Sequence, residues 1–444
     1  MNRLSLCATL FVLLAMCVAA AQSNSAPNPT KARNVILFIG DGMGDSEITI
    51  ARNYHIGAAG RLEMDALPHT GSVTTYSLQE KDPTKPNYVT DSAAGGTAWA
   101  TGMKTSNGRI STAASTNAVL KTIVEMAQAR GMRIGNVTTA ELVDATPAVL
   151  ASHISYRRCY GPKEMARCDK ERKSQGGLGS IAEQLVDHKL DVMLGGGRKR
   201  FDAAIEGGPY DGQTVLQAAT TLGYEIVTDA HTLAVAEKGK PLLGLFNDGN
   251  MSLEWSGDPA IPYPGSGPQR CKEFVRSIEE PSLASMTVKA LQLLDSADGP
   301  GFFLQVEGAQ IDKQDHVARP CEQIGETIGF DNAIKIGIDF EERHPDTLVI
   351  VTADHGHTSQ IIPTSGEGAF DHPAGLMSTL TTADKASMTI GYATNVLCCA
   401  TDHDMEHTGV QVRIAAMGPG AQQVSGLHDM TDVFHMIAKA IGLE

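Results

Sequence analysis

Asn34-Val-Ile-Leu-Phe-Ile-Gly-Asp-Gly-Met-Gly44 decides the fold. The apolar run predicts a strand buried on both faces, the hallmark of a parallel sheet, and the glycines predict a tight turn after it. The same grammar repeats downstream. Val119, Ile123, Met126 and Ala127 share one helical face, Gly131 stops that helix, and Arg133 to Val137 reads as a strand. Helix Ile181 to His188 leads to strand Asp191 to Leu194, and helix Thr214 to Leu222 to strand Glu225 to Val227. Helix Ser285 to Leu294 precedes Phe302 to Val306, and helix Glu322 to Glu342 precedes Thr347 to Thr352. Such alternation predicts an α/β fold with a central, mostly parallel sheet flanked by helices on both faces. No clean linker interrupts it, so residues 22–444 are expected to form a single domain. Lys238 to Arg276 is richer in Pro and Gly and is expected to form loops over the sheet edge.

In parallel sheets ligands bind beyond the carboxyl ends of the strands. Three predicted strand ends carry acids there: Asp41, Glu307 and Asp354-His355. A second stretch, Tyr88-Val-Thr-Asp-Ser-Ala-Ala-Gly-Gly-Thr-Ala-Trp99, reads as a helix start headed by Asp91 and Ser92. A helix start presents unpaired N–H groups and a positive dipole end, so it favours an anion. A serine N-cap alone would give the same pattern. Gly95 and Gly96 fall one turn into that helix. Each costs roughly 0.5–1 kcal/mol relative to alanine. They therefore loosen the support under Ser92 or admit a close neighbour, and the sequence leaves both open.

Ile311-Asp-Lys-Gln-Asp-His316 spaces Asp312 and His316 four apart, on one helical face. Asp with neutral His suits zinc or a similar ion. Asp354-His355 and His407 are candidates to complete such a site, while Asp41 and Glu307 add oxygens that suit magnesium. Each piece is common by chance; together at strand ends they favour a metal site. Two ions about 3.5–4 Å apart are what phosphate-ester chemistry asks for, with a serine as nucleophile. A guanidinium should fork onto the phosphate, and Arg157 and Arg158 are candidates.

The net charge of −15 argues against nucleic acid as a partner. Arg3, the apolar run Leu4 to Ala20 and the Ala19-Ala-Ala21 cleavage pattern read as a secretory signal peptide, residues 1–21. The protein is then expected in the periplasm or outside the cell, and no other stretch is apolar enough to span a membrane. Six cysteines remain after cleavage, an even count that suggests disulfides in an oxidising compartment. A Cys159–Cys168 bridge would close a short charged loop, and Cys271–Cys321 a longer one. For adjacent Cys398 and Cys399 no pairing follows.

With these residues assembled, the chain resembles the bacterial periplasmic alkaline phosphatases over nearly all of its mature length. The blocks that carry the resemblance include Phe38 to Asp45, Tyr88 to Ala94, Thr139 to Pro147, Arg157 to Pro162, Gly195 to Gly197, Pro241 to Phe246, Phe303 to His316, Thr352 to His355 and Glu406 to Gly409. The resemblance implies phosphate-monoester hydrolysis through a phosphoserine on Ser92, with Arg157 gripping the phosphate and Asp91 orienting it. It implies two zinc ions and one magnesium ion per chain. One zinc would take Asp312, His316 and His407; the other Asp41, Asp354, His355 and the Ser92 oxygen. Magnesium would take Asp41, Thr146 and Glu307, with Asp144 holding its waters. Lys313 would reach the phosphate through water, and His357 would stand behind the zinc ligands. The same two disulfides and a homodimer are implied, with small phosphate monoesters and inorganic phosphate as ligands. The glycines Gly95-Gly96 and the Cys398-Cys399 loop with His403 depart from the family pattern.

Other readings fit less well. A sulfatase would need a Cys/Ser-x-Pro-x-Arg context, a phosphodiesterase usually has Thr for Ser92, and Gly-x-Ser-x-Gly is absent. A cofactor-independent mutase shares the fold. A storage protein for zinc or phosphate would predict loss of the serine or the arginine.

Overall fold

The computed structural model describes residues 31–363, 375–395 and 404–444. The expected signal peptide, Cys398, Cys399 and His403 lie outside them. The centre of the molecule is a ten-stranded sheet. From one edge its order is Gly426–Asp429, His69–Thr74, Val412–Met417, Thr347–Ala353, Asn34–Gly40, Phe302–Gly308, Arg133–Glu141, Val192–Gly196, Leu242–Leu245 and Glu225–Val227. Among these described strands, only Val412–Met417 runs against its neighbours. The three central strands, starting at Asn34, Phe302 and Thr347, are buried along their whole length. That is why they read as unbroken apolar runs rather than as an alternation.

Residues one register position apart on two neighbouring strands show what covers each face. Phe38 packs on Gly337 and Phe330 of the long helix Pro320–Arg343. Gln305, across the sheet, instead receives the Trp99 indole N–H at 3.2 Å from helix Ser92–Thr101. Helices therefore cover both faces, as the alternation requires.

Two expectations need correction. Lys238 to Arg276 is not only loop: Leu242–Leu245 is a strand of the central sheet, and Ile261–Pro262 and Ser266–Gln269 join a second, smaller sheet with Gln360–Ile362, Leu376–Thr381 and Ser387–Tyr392. Val119 is exposed and outside the helix Ile123–Ala129. Thr122 caps that helix, accepting from Glu125 N at 3.1 Å while Glu125 accepts from Thr122 N at 2.8 Å, a capping box that overrides the apolar pattern. Both disulfides form as expected, Cys159–Cys168 and Cys271–Cys321. The first clips a 3₁₀ helix, Pro162–Glu171, in which Met165 is buried although the segment reads as charged. No helix of the described residues is long and apolar enough to cross a membrane.

Candidate active site

The expected residues meet at the carboxyl edge of the sheet. Asp41 follows strand Asn34–Gly40, Glu307 is the last residue but one of Phe302–Gly308, and Asp354-His355 follow Thr347–Ala353. Helix Gln310–His316, straight after Glu307, carries Asp312 and His316 on one face. His407 arrives by the opposite route. Its strand is the antiparallel one, so the start of Val412–Met417 lies where its neighbours end.

Ser92 is the first residue of its helix, but the cap is Asp91, whose Oδ1 accepts from Ala94 N at 3.0 Å. The serine hydroxyl is thereby left for other work. Its Oγ donates to Asp41 Oδ1 at 3.2 Å and lies 3.3 Å from His355 Nε2. His355 Nδ1 faces the Gly356 carbonyl at 3.3 Å. A carbonyl only accepts, so Nδ1 carries the proton and Nε2 offers a lone pair towards Asp41 and Asp354.

The second group is Asp312, His316, His357 and His407. His407 Nδ1 donates to Thr90 O at 3.0 Å, and His316 Nδ1 donates to Met405 O. Their Nε2 atoms then confront each other at 3.1 Å, lone pair to lone pair, which a cation between them would relieve. His357 has the opposite tautomer: its Nδ1 accepts from Thr358 N at 2.9 Å, so its Nε2 bears the proton, 3.2 Å from Asp312 Oδ1. It can steady Asp312 but offers no lone pair there.

The donor set fits divalent cations. Asp354 Oδ2 and Thr146 Oγ1 are buried without a hydrogen-bond partner, and Asp312 Oδ1 lies 3.2–3.4 Å from three imidazole nitrogens of which His357 Nε2 alone carries a proton. Buried orphans of this kind call for an ion or water. Burial, then the charges of Asp312 and Asp354, pushes the Asp41 carboxyl well above its ordinary range. Burial likewise lifts Glu307 to about 8 and raises Asp354. Burial also works on Asp312, yet His316, His357 and His407 hold it well below its usual value. Glu307 accepts from Thr138 Oγ1 at 2.5 Å.

Arg157 forks between two acids, Nη1 to Asp91 Oδ2 at 3.0 Å and Nη2 to Asp144 Oδ1 at 3.1 Å. Lys313 Nζ donates to Asp144 Oδ2 at 2.6 Å. The two cations hold Asp144 far below the usual carboxylate range against its burial. Ser92, Arg157, Lys313, Asp312, His316 and His407 line one cleft of about 790 Å³ that opens to solvent. Arg158 lines the same cleft but makes none of these bonds. Gly95 and Gly96 meet close neighbours: a Cβ on Gly95 would lie 3.1 Å from the Asp354 carbonyl oxygen, and one on Gly96 3.0 Å from both Val149 methyls, so an added methyl fits only if these neighbours give way.

The sequence pattern missed one group, Glu125, His153 and His188, which the fold gathers and which shares no residue with the two groups above. Its members come from three distant segments. The only local sign was the Thr122-Ile-Val-Glu125 capping box.

A largely parallel α/β sheet whose carboxyl edge holds a cleft with a serine, an arginine and two carboxylate–imidazole clusters defines the class of metal-dependent phosphoryl-transfer hydrolases. Comparison with known proteins narrows it. The alkaline phosphatase family profile matches residues 32–403 and 400–443. The chain is 48% identical over 440 residues to streptomycin-6-phosphate phosphatase of Streptomyces griseus, covering 97% of this chain and 95% of that protein. It is 47% identical over 435 residues to the alkaline phosphatase of Escherichia coli strain K12, covering 96% and 89%. The solved alkaline phosphatase of the Antarctic bacterium TAB5 superposes with a TM-score of 0.67 at 25% identity, over 93% of this chain and 98% of that one. The chain belongs to the alkaline phosphatase family, enzymes that hydrolyse phosphate monoesters.

Proposed function

We propose that Ser92 attacks the phosphorus of a phosphate monoester and becomes a phosphoserine. One observation carries the reading: the Ser92 hydroxyl opens a helix at the floor of the cleft, between Asp41 Oδ1 and His355 Nε2. As the bond from Ser92 Oγ to phosphorus forms, the hydroxyl proton is released and ends, through solvent in the cleft, on the departing alkoxide. The ester P–O bond breaks and the alcohol departs; water then cleaves the Ser92–phosphate bond and restores the serine. Arg157 holds two phosphate oxygens through the N–H groups not committed to Asp91 and Asp144. Asp91 and Asp144 fix the guanidinium plane, and Lys313, tethered to Asp144, adds positive charge at the phosphate rim.

Asp312, His316 and His407 would hold one zinc, Asp41, Asp354 and His355 the other, and Asp41, Thr146 and Glu307 a magnesium, with Asp144 beside it and His357 bracing Asp312. Bound there, two zinc ions and one magnesium ion per chain supply Lewis-acid stabilisation of phosphoryl charge. Residues 22–444 form one catalytic domain, exported by the signal peptide of residues 1–21 to the periplasm or beyond, and active as a homodimer. The groups assigned here all serve the phosphoryl group and none is assigned to the alcohol, which favours small monoesters of varied structure.

Acid quench after exposure to labelled phosphate, followed by peptide mapping, should place the label on Ser92. Ser92→Ala should lower kcat by about 10³-fold or more, about 4 kcal/mol of lost stabilisation. Label on any other peptide, or full activity in the variant, overturns the mechanism.

A further inference from the structure

The group that the chemistry above leaves unused is Glu125, His153 and His188. Their donor atoms lie within 4.8 Å of one another. Glu125 Oε1 stands 3.2 Å from His153 Nε2 and 3.4 Å from His188 Nε2. A tetrahedral zinc with bonds of about 2.0–2.1 Å separates neighbouring ligand atoms by about 3.3 Å.

The ring tautomers sharpen the point. His153 Nδ1 donates to the Ser111 carbonyl at 2.9 Å, and His188 Nδ1 donates to the Gln184 carbonyl at 3.0 Å. Both neutral rings therefore aim bare Nε2 lone pairs at one carboxylate oxygen. That is repulsive unless both rings are protonated or one dication replaces the two protons. An imidazole whose other nitrogen is tied to a backbone carbonyl is also what metal-binding histidines present.

The three residues are each held by bonds to groups outside the triangle, Glu125 through its side chain and the two histidines also through their backbone. Glu125 is fixed by its capping box, its Oε2 accepting from Thr122 N at 2.8 Å. The His153 N–H donates to Gln184 Oε1 at 2.8 Å, and the His188 carbonyl accepts from Gln128 Nε2 at 3.1 Å. The His153 side chain is 3% exposed, while Glu125 and His188 are 22% and 25% exposed. One side of the triangle is thus open to a water molecule as fourth ligand.

We infer that Glu125, His153 and His188 form a further divalent-metal site, of zinc-binding chemistry, separate from the strand-edge centre. Two nitrogens and one carboxylate oxygen with an open fourth position suit zinc better than magnesium or calcium. The ion clasps helix Ile123–Ala129, the end of helix Ile181–Asp187 and the segment around His153, four residues before Arg157. It steadies the loop that presents the arginine without touching substrate.

The test uses full-length protein loaded with zinc, freed of excess metal and crystallised. An anomalous map at the zinc edge should show a peak between the three side chains. Metal analysis should find one zinc per chain fewer in His188→Ala, with turnover of a simple aryl phosphate retained. Glu125→Gln, which keeps an acceptor for Thr122 N, should lose the same equivalent and the same peak. If either folded variant keeps the full zinc content, or if the wild-type map shows zinc only at the strand edge, the site does not exist and protons alone join these rings to Glu125.

Discussion

Glu307 and Glu326 are both buried glutamates, and burial lifts both to about 8. Burial and acidity alone cannot tell them apart; their partners can. Glu326 sits inside helix Pro320–Arg343 and accepts the backbone N–H of Glu254 at 2.9 Å, with Arg276 held on Glu254 close by. It ties a loop to a helix. Glu307 stands at the open edge of a central strand, accepts one hydroxyl, and faces Asp41, Asp144 and Asp354 together with Lys313. Acids gathered there without backbone donors are costly unless a cation joins them. A buried acid fed by the backbone is architecture, whereas one facing other acids across a cleft points to a ligand.

The same substitution at both positions should separate them. Chelation should abolish turnover, with zinc and magnesium restoring it. Glu307→Gln should lower activity by about 10–100-fold and weaken the rescue by magnesium. Retained activity after complete removal of metal would erase the distinction between the two glutamates. Glu326→Gln should leave turnover unchanged and alter stability instead. The folded value lies above the ordinary 4.5, so the wild-type carboxyl contributes full stability below pH 4.5 and loses it as pH rises towards 8. The glutamine variant should therefore match the wild type near pH 4 and be more stable above pH 8, because each pH unit crossed in that window costs the wild type about 1.4 kcal/mol. Denaturant melts at both pH values measure this; an equal difference at the two pH values would mean that the Glu326 carboxyl titrates alike in the folded and unfolded chain and is not raised by burial. The smallest effect concerns the helix beneath Ser92. Gly95→Ala with Gly96→Ala should lower the melting temperature, because overpacking costs about 1–3 kcal/mol while the gain in helix propensity is about 0.5–1 kcal/mol per residue. A higher melting temperature would show that the glycines loosen the helix rather than admit Asp354 and Val149.

The strand-edge site was legible because its residues sit at fixed grammatical places. Asp41, Glu307 and Asp354 end apolar runs, and Asp312 and His316 share a helical face. The strand Leu242–Leu245 was not legible, since four residues interrupted by Gly244 carry too little periodicity. Its place in the sheet comes from pairing with Val192–Gly196 and Glu225–Val227. The capping role of Asp91 was hidden by its neighbour, because Ser and Asp are equally good caps and only geometry chooses. His188 gave no signal at all. It looks like a helix end, and its partner Glu125 is 63 residues away.

The one antiparallel strand among the described strands of the central sheet has a consequence in time as well as in space. It brings His407 to Asp312, His316 and His357, and stacks its ring on His355, which borders Asp41. No partial chain, stalled in synthesis or cut by a protease before residue 407, can assemble the complete edge. A chain that ends before residue 407 is left without one imidazole of the Asp312, His316, His357 and His407 group.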